Sequence, residues 1–345
     1  MNMKKIVIDR PGGYEQLALR EFPDPVPGKG EICIETRAIG VNFADCCVRM
    51  GVYSSAKEFI GWPITPGFEV SGIVRSIGEG VTRFQPGDRV VSLSFFGGYA
   101  TQIVVREGLA FPLPPEISFE QGAALPAVSL TAYYAVHELA HPHPEDTLLV
   151  HSAAGGVGSM LVQIGKNAGC RVVGVVGAPH KVQEVEELGA DLVIDKSKVN
   201  LWQAAASYAP KGYDAIFDAN GIETLSQSYR HLSPGGKLVV YGFHTMFSKG
   251  RGTPNWIKMA WDYFRTPRFN PLQMTNDNHS VLAFNLSYLF DKGPLLENAL
   301  HHILKEVLKG KLAPPHITTY PLERTADAHR DLESGNTIGK LILLP

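Results

Sequence analysis

The chain has 345 residues, of which 44% are hydrophobic and 19% charged, as in an ordinary folded protein of about two domains. Its 32 basic and 34 acidic residues give a formal charge of −2 at pH 7, so we expect no nucleic-acid partner. The first residues, MNMKKIVIDR, lack the apolar core of a signal peptide, and no stretch is apolar enough to span a membrane. The four cysteines form no C-x-x-C pair. These features predict a reducing, cytoplasmic location.

Short apolar runs dominate roughly the first 120 residues. The runs KIVI, EICIETRAIGV, VSGIVRSIG and DRVVSL are separated by glycine and proline. Pro23, Pro25, Pro27 and Gly28 mark a loop between two of them. Spacing of this kind predicts a small twisted β-barrel or β-sandwich.

The pattern changes near Leu125, where strand-like runs begin to alternate with helix-like segments. Predicted strands cover residues 147–151, 171–176, 191–195, 214–219 and 237–242. Predicted helices cover residues 157–168, 181–188, 202–208 and 224–232, and Pro234-Gly235-Gly236 ends the last of them. After an irregular insert come a sixth strand at 281–285, a helix at 295–309 and a last strand in GKLILLP. This alternation predicts an α/β fold with a doubly wound parallel sheet.

A loop of small residues, SAAGGVG, joins the first of these strands to the first helix. Ala153, Gly155 and Gly158 occupy the three glycine positions of the pattern G-x-G-x-x-G, and Gly156 and Val157 lie between them. Gly155 would let the main chain approach a pyrophosphate, and Gly158 would let the helix pack close to the strand. The free N–H groups of the helix N-terminus would face the phosphates. The strand–loop–helix–strand context favours a dinucleotide-binding Rossmann sheet over a tight turn without a ligand.

The end of the second parallel strand discriminates between the two nicotinamide cofactors. An NAD-binding chain places Asp or Glu there, about 20 residues after the glycines. Val176 occupies that position, and no carboxylate lies in residues 175–179. Lys181 follows, and Lys196 ends the third strand. Because a cation without a neighbouring acid suits a 2′-phosphate, we predict NADPH as the cofactor, with a solvated lysine as the alternative interpretation of Lys181.

Motifs along the whole chain carry a family resemblance: GVNFADCCVRMGVY, PGFEVSGIV, PGDRVV, LTAYYAV, AAGGVG and GKLILLP. In this order they resemble the zinc-independent quinone oxidoreductase branch of the medium-chain dehydrogenase/reductase superfamily. The segment FNPLQMTNDNHSVLAFNLSYLF and the C-terminal 31 residues are similar, more narrowly, to homologues of the synaptic vesicle amine transport protein.

The resemblance implies a split domain organisation. Residues 1–124 and 278–345 would form a β-rich, GroES-like catalytic domain. Residues 125–277 would form the Rossmann domain, with an insert at about 249–280. The nicotinamide would lie in the cleft between the domains, and two chains would form a homodimer, partly by joining sheets edge to edge.

The resemblance also bears on zinc. Asn42 stands where zinc-dependent relatives have their first cysteine ligand, and Phe68 stands where they have histidine. Neither side chain binds zinc as a thiolate or an imidazole, and the four-cysteine lobe of those relatives is absent. We therefore expect no catalytic or structural zinc.

Two residues are candidates for catalysis. The Asn42 amide could donate to a carbonyl or hold the nicotinamide ribose, or Asn42 could simply be a turn residue. Tyr53 stands where related enoyl thioester reductases have a proton donor. Its hydroxyl could donate to a developing enolate while staying neutral at pH 7, or its ring could merely line the pocket. Hydride delivery to a quinone could take its proton from water instead.

The remaining predicted cofactor contacts come from the resemblance. They are Thr131, Asn220, Tyr241, Gly242, Phe243, Phe284, Asn285 and Leu286. All are expected at the carboxyl ends of strands, where ligands bind in open α/β sheets, and the alternative for each is an ordinary strand-end residue.

The insert, residues 249–280, is locally basic and aromatic. Ile257, Trp261 and Phe264 fall on one helical face. One interpretation is a helix that caps the substrate cleft or forms a dimer contact. The other is a surface for lipid or for a partner protein.

These observations predict an NADPH-dependent oxidoreductase that reduces a small-molecule quinone or activated α,β-unsaturated carbonyl by direct hydride transfer. Two alternatives stay open. One is a 2-enoyl thioester or alkenal reductase. The other is an NADPH-binding, membrane-associated protein with little turnover.

Overall fold

The computed structural model describes residues 2–247 and 252–345. Lys249 and Arg251 of the basic insert lie outside these residues. The chain divides into two compact units. Unit 1 contains residues 2–127, 252–253 and 287–345, and unit 2 contains residues 128–247 and 254–286.

The strands and helices are numbered separately in chain order. The strands are β1 (Asn2–Val7), β2 (Ala18–Pro23), β3 (Glu31–Val41), β4 (Glu69–Ile77), β5 (Arg89–Leu93), β6 (Gln102–Arg106), β7 (Ala110–Pro112), β8 (Thr147–Val150), β9 (Arg171–Val176), β10 (Leu192–Asp195), β11 (Tyr213–Asp218), β12 (Leu232–Val240), β13 (Ser280–Ala283), β14 (Ile317–Pro321) and β15 (Lys340–Leu344). The helices are α1 (Phe43–Met50), α2 (Ser54–Phe59), α3 (Phe119–Ala124), α4 (Pro126–Tyr133), α5 (Gly156–Asn167), α6 (Val182–Glu187), α7 (Leu201–Tyr208), α8 (Leu225–Arg230), α9 (Trp256–Arg265), α10 (Pro271–Asp277), α11 (Gly293–Leu308) and α12 (Thr325–Ser334).

Unit 1 is built around a seven-stranded sheet in the order β14-β15-β3-β4-β5-β7, with β6 also pairing with β3. Strand β3 lies antiparallel to β4, β6 and β15. Its Ile32 and Ile34 pack in the core with Val70 of β4 and Leu341 of β15. The pairing of Leu341 with Val41 brings the C-terminal strand beside the start of α1. The polar residues at that point form the candidate catalytic site.

Unit 2 contains a six-stranded sheet in the order β10-β9-β8-β11-β12-β13, in which every pairing is parallel. Leu148, Val173, Ile216 and Val239 are completely buried, as expected for strands covered on both faces. The strand order reverses between β8 and β11, and ligands bind outside the carboxyl ends of strands at such a point. The α/β fold class predicted from the sequence is confirmed.

The structure corrects two boundaries. Leu232, predicted as the last residue of a helix, begins β12 instead, because it pairs in parallel with Tyr213. The helix before it, α8, ends at Arg230. Strand β13 hydrogen-bonds β12 and belongs to unit 2, although it lies after residue 278, where the sequence prediction resumed the catalytic domain. The insert is not irregular throughout, since it contains α9 and α10.

Candidate cofactor and catalytic sites

The loop after β8 leads directly into α5, and Gly155 is the residue that caps the helix. Among the described residues, no side chain hydrogen-bonds the first turn as a cap. Ser152 adopts a left-handed backbone conformation with φ of 53°, and its carbonyl oxygen accepts a bond from the Gly155 N–H at 2.9 Å. A Cβ atom on Gly158 would lie 2.2 Å from that oxygen, so only glycine fits there. The loop leaves the N–H groups at the start of α5 available to an anion.

The loop after β11 lies on the other side of the switch point and is tied to the first loop. Ser152 Oγ donates to Asn220 Oδ1 at 3.0 Å. Asp218 Oδ1 accepts from the backbone N–H groups of Asn220 and Gly221 at 2.8 and 3.1 Å. Ser228 Oγ donates to Asp218 Oδ2 at 2.9 Å. The buried Asp218 thus fixes the turn that presents Asn220, a role that the sequence prediction missed.

The segment after β12 closes over the same loop. The Tyr241 N–H donates to the Asp218 carbonyl at 3.0 Å. A Cβ atom on Gly242 would lie 3.1 Å from the Ala219 carbonyl oxygen, so the two chain segments are close together. Phe243 follows and exposes its ring.

The segment after β13 and helix α4 hold the other predicted contacts in unit 2. The Phe284 N–H donates to Val240 O at 3.2 Å, and its ring packs against Tyr134 with centroids 4.9 Å apart. Asn285 and Leu286 follow that strand. Thr131 was predicted at the carboxyl end of a strand, but it lies half-buried in helix α4. The structure therefore brings Ala153, Gly155 and Asn220 together at the carboxyl ends of the parallel strands. Tyr241 and Phe284 follow the neighbouring strands β12 and β13.

The two lysines predicted to bind the cofactor, Lys181 and Lys196, follow the ends of β9 and β10. Val176 pairs with Asp195, the last residue of β10, and the Lys196 N–H donates to the Val176 carbonyl at 3.0 Å. Lys196 Cε lies 3.7 Å from the Cβ position of Gly177. Lys181 lies at the start of α6. Burial lowers the pKa of the nearby His244, and the Lys196 charge adds to that decrease. The end of β9 therefore lies close to a cation, Lys196, and beside Asp195 of the neighbouring strand.

In unit 1, Asn42 follows β3 and belongs to a buried polar cluster with Glu69 of β4 and Lys340 of β15. Lys340 Nζ donates to Asn42 Oδ1 at 2.5 Å and forms an ion pair with Glu69 Oε1 at 2.5 Å. Asn42 Nδ2 donates to Glu69 Oε1 at 2.8 Å, and the Ala127 N–H donates to Glu69 Oε2 at 2.6 Å. We call these three side chains the Asn42 cluster.

Glu69 and Lys340 were not among the predicted site residues. A signal for both was present, because each is a charged residue within an apolar strand run, EVSGIV and GKLILLP. Such residues are rarely fully buried unless they are paired.

Asp45, in the first turn of α1, holds the backbone around Asn42. Its Oδ2 accepts from the Asn42 N–H at 2.8 Å and from the Tyr99 hydroxyl at 3.1 Å, and its Oδ1 accepts from the Gly67 N–H at 2.8 Å. Burial raises the pKa of Asp45 to about 7, although these hydrogen bonds and the Lys340 charge act in the opposite direction. The position of Asn42 is thus fixed through both its side chain and its backbone.

Tyr53, the second predicted catalytic residue, precedes α2 and is half-buried. Its hydroxyl lies 2.7 Å from Ser287 Oγ, and its ring meets Phe68 edge-on with centroids 5.8 Å apart. Ser287 was not predicted, and no local motif distinguishes it. Asn42 and Tyr53 lie at opposite ends of the segment that contains α1.

Within residues 2–247 and 252–345, one group of three possible metal ligands lies close together: Cys46, His329 and Glu333. Arg49 donates to Glu333 Oε1 at 2.7 Å, and the Tyr14 hydroxyl donates to Glu333 Oε2 at 2.8 Å. Both carboxylate oxygens are therefore engaged beside a guanidinium cation. This arrangement fits a buried ion pair better than a metal site.

Comparisons with known proteins agree with this architecture. Residues 28–115 match the family described as alcohol dehydrogenase GroES-like domain, and residues 156–260 match zinc-binding dehydrogenase. The rat synaptic vesicle membrane protein VAT-1 homolog is 31% identical over 99% of this chain and 84% of its own length. Rat quinone oxidoreductase is 32% identical over 99% of this chain and 98% of its own. Escherichia coli quinone oxidoreductase, solved in complex with NADPH, superposes with a TM-score of 0.85 at 29% identity, covering 99% of this chain and 100% of that one.

The parallel sheet with its glycine loop, the GroES-like sheet and these similarities define one class of protein. The chain belongs to the medium-chain dehydrogenase/reductase superfamily of oxidoreductases, in its quinone oxidoreductase-like branch, as the sequence motifs predicted. Within the described residues, none of the helices is long and apolar enough to cross a membrane.

Proposed function

We propose that this protein is an NADPH-dependent oxidoreductase that reduces small-molecule quinones or activated α,β-unsaturated carbonyls by direct hydride transfer without zinc. The observation that carries the proposal is that Lys196 and the N-terminus of α5, which no described side chain caps, both lie at the carboxyl ends of the parallel strands. Val176, at the end of β9, stands where an NAD-binding chain would have an acid. The NADPH named for the Escherichia coli relative supports the same cofactor.

The residues of unit 2 fit a dinucleotide with a 2′-phosphate. The N–H groups after Gly155 would bind the pyrophosphate, and Gly158 keeps the helix close to the strand. Lys196 and Lys181 would hold the extra phosphate. Asn220, Tyr241 and the segments around Phe243, Phe284 and Thr131 would hold the rest of the cofactor, which supplies the hydride when bound.

The residues of unit 1 would act on the acceptor. Asn42 Nδ2 has a second N–H besides the one that Glu69 accepts, and this group can donate to a carbonyl oxygen as it gains charge. Lys340 and Glu69 fix the carboxamide orientation, so the donor needs no reorganisation. We propose that the GroES-like unit is therefore the catalytic domain and unit 2 the cofactor domain.

Independence from zinc is supported by the contacts of the Asn42 cluster. Asn42 and Phe68 supply neither a thiolate nor an imidazole. The Lys340 ammonium already contacts Asn42 Oδ1 and Glu69 Oε1, the oxygens that a metal at this point would need. We expect chelation with EDTA to leave the turnover rate unchanged and elemental analysis to find less than one zinc per chain. Loss of activity that zinc alone restores would contradict this part of the proposal.

A second candidate substrate, a 2-enoyl thioester or alkenal, is favoured by the Tyr53–Ser287 pair. A tyrosine hydroxyl held by a neighbouring hydroxyl can deliver a proton to a developing enolate. Reduction of a quinone needs no such donor, because the hydroquinone anion can take its proton from water. Tyr53→Phe should lower kcat for an alkenal by about 10²-fold or more and leave quinone reduction nearly unchanged.

The first test is the loss of reduced cofactor when the protein is mixed with NADPH and an ortho-quinone, with NADH in parallel and an alkenal as a second acceptor. Tyr288→Phe is the matched control for Tyr53→Phe, since the Tyr288 hydroxyl donates to the exposed Glu58. Rapid use of NADPH and slow use of NADH is the expected result. Tight NADPH binding without turnover of either acceptor would instead favour the third prediction, a cofactor-binding protein with little activity.

We also propose a cytoplasmic homodimer. Strand β13 is the edge of the six-stranded sheet, and a second copy could extend the sheet there. All four cysteines are free and buried, which suits a reducing compartment. Light scattering of the purified protein tests the dimer, and a monomer at micromolar concentration would contradict it.

A further inference from the structure

Helix α9 of unit 2 turns its charged side toward the protein. Lys258 Nζ forms an ion pair with the buried Asp262 one turn later and donates to Thr245 O at 2.5 Å. Asn255 Oδ1 caps the helix by accepting from the Lys258 N–H at 3.0 Å. These contacts fix the rotation of the helix about its axis.

The opposite side of α9 is apolar and exposed. Trp256, Ile257, Trp261 and Phe264 have exposed fractions of 63, 85, 63 and 73%. With Tyr263 and Leu272, residues 256–272 hold six of the fourteen large hydrophobic side chains that are exposed in the described part of the chain. Exposed apolar side chains that are clustered in this way mark an interaction surface, whereas single exposed apolar side chains are common on any protein. We call Trp256, Ile257, Trp261 and Phe264 the outer face of α9.

The charge around this face is positive. Residues 254–277 contain three cations, Lys258, Arg265 and Arg268, and two acids, Asp262 and Asp277, which gives a net charge of +1. Lys258 and Asp262 neutralise each other, and the half-buried Asp277 accepts from the Tyr229 hydroxyl. The exposed charges of the segment are therefore Arg265 and Arg268.

We propose that the outer face of α9 docks on the surface of a lipid bilayer that contains anionic headgroups. Tryptophan and tyrosine rings favour the boundary between headgroups and acyl chains, and Arg265 and Arg268 would contact the anionic phosphates. The helix has 10 residues and is about 15 Å long, so it lies in the interface and does not span.

A second copy of the chain fits this surface less well. In a two-fold contact through this face, both copies would present the same exposed arginines, and residues 254–277 offer no exposed carboxylate to pair with them. Docking on lipid stands independently of the proposed reductase activity, since it depends on none of the residues around Gly155 or Asn42.

The test is co-sedimentation of the full-length protein with vesicles of phosphatidylcholine alone or with about 30% phosphatidylserine. Wild type should sediment with the anionic vesicles and be released by about 0.5 M salt. The triple variant Trp256→Ser, Trp261→Ser, Phe264→Ser should partition at least tenfold less. Arg265→Gln with Arg268→Gln should weaken partition about 25-fold, at about fivefold for each cation.

The matched control replaces three exposed apolar residues elsewhere, as Val26→Ser, Val199→Ser and Leu308→Ser, and should bind like wild type. Circular dichroism melting of each variant checks that it folds. Failure of wild type to sediment, unchanged binding by the α9 triple variant, or equal binding to neutral vesicles would overturn the proposal. If wild type binds no vesicles and the α9 triple variant is a monomer in light scattering where wild type is a dimer, the face would be assigned to a second copy instead.

Discussion

The loop after β8 and the Asn42 cluster both present polar groups near strand ends. The loop does so with backbone groups, and the cluster does so with side chains. The loop presents backbone N–H groups and is shaped by a left-handed Ser152 and the bare Cα of Gly158. The Asn42 cluster presents side chains, two of which are buried and oppositely charged. Its members come from positions 298 residues apart. A backbone site is encoded by a few adjacent residues, whereas a side-chain site depends on strands pairing correctly over the whole chain.

This comparison predicts its largest effect at Lys340. Lys340→Met would leave the Glu69 carboxylate buried without its cation, so we expect the free energy of unfolding to fall by about 3–5 kcal/mol. Urea unfolding followed by circular dichroism measures the change. The double variant Lys340→Met, Glu69→Gln removes both charges and should recover at least 1 kcal/mol of that loss. A double variant less stable than Lys340→Met alone would show that the ion pair is not what holds the cluster.

A smaller loss is expected at Gly158. The added Cβ of Gly158→Ala would meet Ser152 O at 2.2 Å, and displacing that backbone should cost about 1–3 kcal/mol of stability. NADPH affinity, measured by fluorescence titration, should fall at least tenfold because the loop moves. For stability, the matched control is Gly155→Ala, since its Cβ would lie 3.3 Å from the same oxygen. An equal loss of stability in the two alanine variants would remove the steric explanation.

The cations at the end of β9 should affect cofactor choice more than stability. If Lys196 binds the 2′-phosphate as proposed, Lys196→Gln should raise KM for NADPH about tenfold and leave KM for NADH unchanged, since NADH lacks that phosphate. Lys198→Gln, in the following turn, serves as the control and should change neither value. An equal increase for both cofactors would place Lys196 elsewhere than beside the extra phosphate.

The last effect is a dependence of stability on pH, and it concerns Asp45. Its pKa is raised from 3.8 to about 7 in the folded chain, so the native state keeps a proton that the unfolded state releases. Stability from this residue therefore falls as pH rises from about 4 to 7, by at most about 1.4 kcal/mol per pH unit, and is constant above that range. The stability difference between wild type and Asp45→Asn should thus be smaller at pH 7.5 than at pH 5. Asp9→Asn is the control, because Arg20 lowers the pKa of Asp9 and its titration ends below this range.

The sequence by itself determined the order of the six strands in unit 2 and of the helices that connect the first five. It also determined the glycine loop and the missing acid at Val176. It also identified Ile257, Trp261 and Phe264 as one face of a helix. All of these are local: a strand and a helix have periods of about two and 3.6 residues, and a phosphate loop is a run of small residues. The family motifs extended the prediction to Asn42 and Tyr53.

The tertiary structure alone decided which residues accompany these candidates. Ser287 lies beside Tyr53 across 234 residues, and Lys340 reaches Asn42 only because β15 pairs with β3 in one register. It also decided that the apolar face of α9 points to solvent, since the Lys258–Asp262 pair is the side that packs inward. Such contacts depend on long-range pairing and on the burial of charge, and these are properties of the packed chain that no short segment carries.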